Sequence, residues 1–156
     1  MKIVVDTREQ AALDFSRYEA VVEPGTLEVG DYAPAGLGHL CAVERKSLPD
    51  LMASLTRERD RFERELRRAR GLDAFAVVIE GSLGQVRQHE YRSQAKPHAI
   101  LQSMCAFSVR YGVPWVWADD PAGAAYFTFH FMRHFIRGAE ARYREIIKAH
   151  GETATG

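Results

Sequence analysis

Residues 74–79, Ala-Phe-Ala-Val-Val-Ile, are consecutively apolar and stop at Glu80-Gly81. A strand that wets one face alternates polar with apolar, so an unbroken run this short reads as a central strand covered on both sides. That requirement selects a sheet with helices packed on each face. The rest of the chain can supply them. Residues 2–5 (Lys-Ile-Val-Val) read as a short buried strand ending at Asp6. Residues 26–29 and 40–46 read as neighbouring strands around a Gly/Pro-rich turn, and 113–117 as an edge strand with its proline near the start. Ser47 followed by Asp50 has the pattern of a capping box. Leu51, Leu55, Phe62 and Leu66 then recur at helical spacing and predict one helix that runs to Gly71. Further helices are expected at 96–111 and about 122–149. The fold class that follows is α/β: one domain over residues 1–150, a central mixed β-sheet flanked by helices on both faces, and a flexible tail at 151–156.

The totals fit one domain. A chain of 156 residues with 46% hydrophobic content can bury about 70% of the surface it exposes when unfolded. Formal net charge is zero, which excludes a protein that coats nucleic acid by bulk attraction and requires any such binding to use a local basic face. Charge is uneven: residues 57–70 carry seven arginines against four acids. The two cysteines, Cys41 and Cys105, form no disulfide framework or zinc spacing, and no apolar run approaches the 18 or so residues of a membrane helix. A soluble, cytoplasmic protein acting away from membranes is the expectation.

Chemistry concentrates in residues 30–50, which contain Gly-Asp-Tyr and then Val-Glu-Arg-Lys-Ser-Leu-Pro-Asp. On an extended strand Glu44 and Lys46 project from one side and Arg45 from the other, while Asp31 stands at the mouth of the neighbouring strand. Two carboxylates beside an ammonium make a hard-oxygen site suited to Mg²⁺ or Mn²⁺. Such a site can hydrolyse a phosphodiester, with the metal acidifying water and the lysine offsetting charge on the phosphate. Spacing alone leaves this reading level with a plain surface ion pair on a strand.

The blocks VDTRE (5–9), VGDY (29–32) and VERKSLPDL (43–51), with weaker echoes at 54–63 and 77–82, resemble in order and spacing the XPF family of structure-specific endonucleases. The resemblance covers roughly the first 80 residues well and the remainder only in its strand–helix rhythm. It implies a restriction-endonuclease-like fold that cleaves branched DNA at a flap, fork or junction, in repair or recombination. It implies that Asp31, Glu44 and Asp6 serve the metal, that Lys46 acts on the attacking water, and that Arg8, Glu9 and Arg45 lie beside them. Arg8, Arg45, Arg57 and Arg59 are the candidates for DNA contact. Asp50 matches the last family position but equally suits a helix cap. Where the family has Gly-Arg this chain has Glu58-Arg59, so the helix is expected to continue through a position that elsewhere kinks.

Two other features have competing readings. His130 and His134 share a helix face at metal-ligand spacing, but no third ligand is evident and their phenylalanine neighbours favour a core or partner-facing helix. That helix also carries Tyr126, Phe127, Phe129, Phe131 and Phe135, a spread suiting either burial nearly all round or a contact with a second copy or a partner subunit. Most arginines of 57–70 read as a solvated face neutralised by the pairs Arg59–Glu63, Asp60–Arg64 and Glu63–Arg67. The alternatives to a branched-DNA nuclease are a non-catalytic subunit of a nuclease pair and a nuclease of the same broad fold acting on plain duplex.

Overall fold

The computed structural model describes residues 1–151; residues 152–156 of the expected tail lie outside the described residues. A six-stranded mixed sheet runs β2-β1-β3-β4-β5-β6, built from β1 (Lys2–Asp6), β2 (Val21–Gly25), β3 (Tyr32–Pro34), β4 (Cys41–Ser47), β5 (Ala74–Glu80) and β6 (Trp115–Trp117). β1 pairs parallel to β2 and antiparallel to β3, β3 antiparallel to β4, and β4, β5 and β6 parallel to one another. The apolar run at 74–79 is therefore next to the last strand of the sheet yet buried on both faces. Val77 and Ile79 belong to a core under helices α1 (Leu48–Leu55), α2 (Arg59–Ala69) and α4 (Pro97–Tyr111), whereas Val78 packs under helix α5 (Pro121–His150). Helices on both faces are the observed architecture.

Because β4 is in register with β5, Glu44 beside Val77 and Lys46 beside Ile79, the alternation carries across. Glu44 and Lys46 face the α1–α2–α4 side and Arg45 faces the α5 side. This is how the sheet sorts one tripeptide into two environments.

Several expectations need correction. Residues 26–29 are not a strand; β2 lies at 21–25 on the sheet edge, where Pro24 can sit without the donor it lacks. The following segment instead buries Leu27 and Val29 as a loop. The helix after Ser47 does not run unbroken to Gly71. It ends at Thr56, whose hydroxyl donates to Met52 O at 2.6 Å, and α2 restarts at Arg59. The break occurs without a glycine because Glu58 N–H still finds an acceptor, Ala53 O at 2.9 Å. Helix α3 (Leu83–Arg87) was not expected, although Ser82 and Gln85 form a full capping box. The final strand is shorter, 115–117. Helix α5 is buried only along part of its length: Phe129 and Met132 are core, while Tyr143 and Ile146 are more than half exposed. Among the described residues none of the three expected ion pairs on α2 forms. Glu63 bonds instead to Arg110 and Tyr111, each at 2.7 Å. No helix of the described residues is long and apolar enough to cross a membrane.

Candidate active site

Asp31 is fixed from both sides by backbone. Its N–H donates to Val43 O and its carbonyl accepts from Asp6 N–H, both at 2.8 Å, which seats it between β1 and β4. Gly30 makes the approach possible. It holds φ of +78°, and an added Cβ would stand 3.0 Å from both Ala42 Cβ and Val43 O. The Arg45 N–H then donates to Asp31 Oδ2 at 2.8 Å, so the carboxylate is tied to β4 as well.

Glu44, 7% exposed, meets Lys46 Nζ at 3.0 Å through Oε1. The Lys46 ammonium also lies 4.7 Å over the Phe62 ring. Asp31, Glu44 and Lys46 open into one cavity of about 370 Å³, whose rim includes Arg8 and, from α2, Arg61, Glu65 and Arg68. The α1–α2 break presents these three α2 side chains to the cavity. Glu65 is the residue that sequence reasoning missed. Its Oε1 accepts from Gly30 N–H at 3.4 Å, and its carboxyl lies against that of Glu44. The available signal was the i, i+3 spacing from Phe62 on a helix packed over Lys46, which becomes readable only once the helix is known to break.

Charge is crowded here. Burial, reinforced by Glu9 and Glu65 against the opposing Arg45 N–H and Lys46, raises Asp31 to about 6. Glu44 is pushed well above the ordinary glutamate range by burial and by Asp31 and Glu65. Burial alone would lower Lys46, but Glu44, Glu65 and Asp31 outweigh it and hold the amine protonated.

The other expected residues do different work. Arg45 points away from the cavity. Its Nε and Nη2 grip the Glu80 carboxylate, the latter at 3.0 Å, and Nη1 reaches Glu9 at 3.2 Å. At 13% side-chain exposure it is committed to the protein interior, not available at the surface. Glu9 also accepts from the Tyr32 hydroxyl at 3.4 Å. Asp6, 2% exposed, is bonded to Arg8 and to Leu27 N–H, and the Arg8 guanidinium holds it down at about 2. Asp50 completes the capping box with Ser47, accepting from its N–H at 3.4 Å, and does not line the cavity. Arg59 donates to Ser103 at 2.7 Å and stacks over Phe107 on α4. Arg57 is exposed in the break between α1 and α2. His130 packs edge-on against Tyr18 and Phe129. Among the described residues no three His, Cys, Asp or Glu side chains already stand close enough together to hold a metal ion.

The chain matches the model of the ERCC4 domain over residues 5–131. Among solved structures it is similar to XPF from Aeropyrum pernix, with 26% identity and a TM-score of 0.67 over 85% of this chain and 60% of that one. It is also similar to XPF from Aeropyrum pernix in complex with DNA, with 25% identity and a TM-score of 0.67 over 88% of this chain and 66% of that one. The chain therefore spans less than two thirds of the length of these structures. No curated protein gives a match.

The Asp31 shift has a measurable consequence. The folded chain keeps that proton to about pH 6, while an ordinary aspartate releases it near 3.8. Metal-free protein therefore loses this contribution as pH rises through that window. Asp31→Asn, neutral throughout, should be more stable than wild type at pH 7.5 and about equal to it near pH 4 in urea unfolding with chelator. A variant less stable than wild type at pH 7.5 would show that the buried charge is compensated.

Proposed function

We propose that this chain, which belongs to the ERCC4 domain family, is a metal-dependent DNA endonuclease whose active site is the cavity holding Asp31, Glu44 and Lys46. The observation that carries the reading is their convergence: a carboxylate from the entry to β3 and an acid–lysine pair from β4 face one opening that the α2 arginines border. The donor set fits Mg²⁺ or Mn²⁺, being all carboxylate oxygen with no thiolate or imidazole. Asp31 and Glu44 would hold the ion. When bound, it would polarise the phosphoryl group and acidify a water.

The protein's own groups have separable parts. Lys46, kept protonated by its carboxylate neighbours, acts as a hydrogen-bond donor that orients water and offsets charge on the phosphate. Asp31 is held in place by β1 and β4 through its backbone and by the Arg45 N–H through its carboxylate. Arg8, Arg61 and Arg68 at the rim and the exposed Arg57 suit phosphate contact, and binding through them falls as salt rises. That a similar structure is a complex with DNA supports DNA as the substrate. The family resemblance supports branched DNA over plain duplex. A non-catalytic subunit is the weaker reading, because crowding carboxylates around a buried glutamate is costly for a scaffold to keep.

Cleavage of labelled duplex, flap, fork and single-stranded DNA with and without Mg²⁺ tests this. Wild type should cut a branched substrate only with metal, and Asp31→Ala and Lys46→Ala should each lose at least about 100-fold while still binding fork. Binding without cutting by wild type would favour the non-catalytic subunit, and full activity in the variants would move the site elsewhere.

A partner contact belongs to the same proposal. Tyr126, His130, Phe131, His134 and Phe135 of α5 line an open apolar groove of about 400 Å³, a surface suited to a second copy or a partner subunit. Sedimentation at micromolar concentration should give a dimer mass, and Tyr126→Asp, at a position 59% exposed, should shift it to monomer. A monomer mass for wild type would argue against self-association.

A further inference from the structure

We infer that Glu65 from α2, and not Asp6 from β1, is the third carboxylate serving the metal, and that Asp6 is instead a positioning residue for Arg8. This rests on the metal-dependent reading above.

Asp6 has no capacity left. Oδ1 accepts from Arg8 N–H at 2.9 Å and Nε at 2.7 Å, and Oδ2 accepts from Arg8 Nη2 at 3.1 Å and Leu27 N–H at 2.8 Å. Four bonds fill the lone-pair directions of a carboxylate, and three of them come from one arginine. The side chain is 1% exposed and does not line the cavity. To reach a metal it would have to abandon those bonds. What it does by staying is hold Arg8. With Nε and Nη2 engaged, and Nη2 also donating to Leu27 O at 2.9 Å, the guanidinium is fixed at the cavity rim while its side chain remains 73% exposed. A rigid, exposed guanidinium at the mouth of the site suits a DNA phosphate.

Glu65 is placed the opposite way. It lines the cavity with Asp31, Glu44 and Lys46; its hydrogen bond from Gly30 N–H is long at 3.4 Å, and its carboxyl otherwise lies against that of Glu44. Rearranging it therefore costs little. Charge points the same way: Asp31, Glu44 and Glu65 crowd around one ammonium, Lys46, while Arg61 on the same cavity is drawn to Glu58 at 3.5 Å. Arg8 does not redress the balance because its charge is matched by Asp6. A divalent cation supplies what is missing.

Calorimetric titration of Mn²⁺ into the full chain separates the two residues. Glu65→Gln, which keeps the acceptor for Gly30, should weaken Mn²⁺ binding by at least about tenfold, with Glu65→Asp intermediate. Asp6→Asn should change Mn²⁺ affinity less than about threefold yet raise KM for forked DNA with kcat nearly unchanged. Glu65→Gln binding Mn²⁺ within twofold of wild type would overturn the assignment, as would an Asp6→Asn loss as large as that of Glu65→Gln. If Asp6→Asn does not fold, the glutamate variants decide alone. Wild type that takes up no Mn²⁺ would sink the metal-dependent reading itself, a different result from wild type and Glu65→Gln binding alike.

Discussion

Strand β4 carries the constraint on which the site depends. Its in-register pairing with β5 leaves no freedom in which face each side chain takes, because a one-residue slip would exchange every inward group for an outward one. Glu44 and Lys46 are thereby committed to one side of the sheet and Arg45 to the other. The same strand supplies Val43 O and Arg45 N–H to Asp31. The Asp31 and Glu44 carboxylates are thus set relative to each other by main-chain hydrogen bonds, with little dependence on side-chain flexibility. Preorganisation of this kind is what an electrostatic active site requires.

On the far face, Arg45, Glu80 and Glu9 form a largely buried ion network, with Arg45 raised above its ordinary value first by its hydrogen bond to Glu80. Removing one member of such a network leaves uncompensated buried charge, so its role is to brace β4 against β5 from behind. On the near face three carboxylates, Asp31, Glu44 and Glu65, crowd around one ammonium, Lys46, in an open cavity. Behind the strand the carboxylates are gripped directly by Arg45, whereas those in front of it face an opening, the side on which the proposed site lies.

Much of this was legible in the residues, and what was not has physical causes. The apolar run at 74–79 announced two-sided burial, and period-two alternation separated Arg45 from Glu44 and Lys46; both follow from local rules. The Ser47–Asp50 capping box was readable and gives Asp50 a structural task. By contrast, the break at residues 56–58 uses no glycine or proline, and it is stabilised by a hydroxyl and a backbone bond that propensity does not encode. Missing the break meant missing Glu65, since an unbroken helix gives no reason to aim that residue at Gly30. Asp6 and Arg45 were legible as members of the motif but not in their tasks. Their partners, Leu27 and Glu80, lie 21 and 35 residues away and meet them only through tertiary pairing. The ERCC4 domain match over residues 5–131 extends well beyond the 80 or so residues whose motifs carried the resemblance.

The central claim is that the cavity between β3, β4 and α2 binds the metal that a phosphodiesterase needs. Anomalous diffraction from crystals of the full chain soaked in Mn²⁺ tests it most directly. The account predicts a manganese peak within about 2.0–2.6 Å of carboxylate oxygens of both Asp31 and Glu44, with Lys46 Nζ beside it and not in its coordination shell. A protein that cleaves DNA with Mn²⁺ while its only anomalous peak lies away from Asp31 and Glu44 would contradict it.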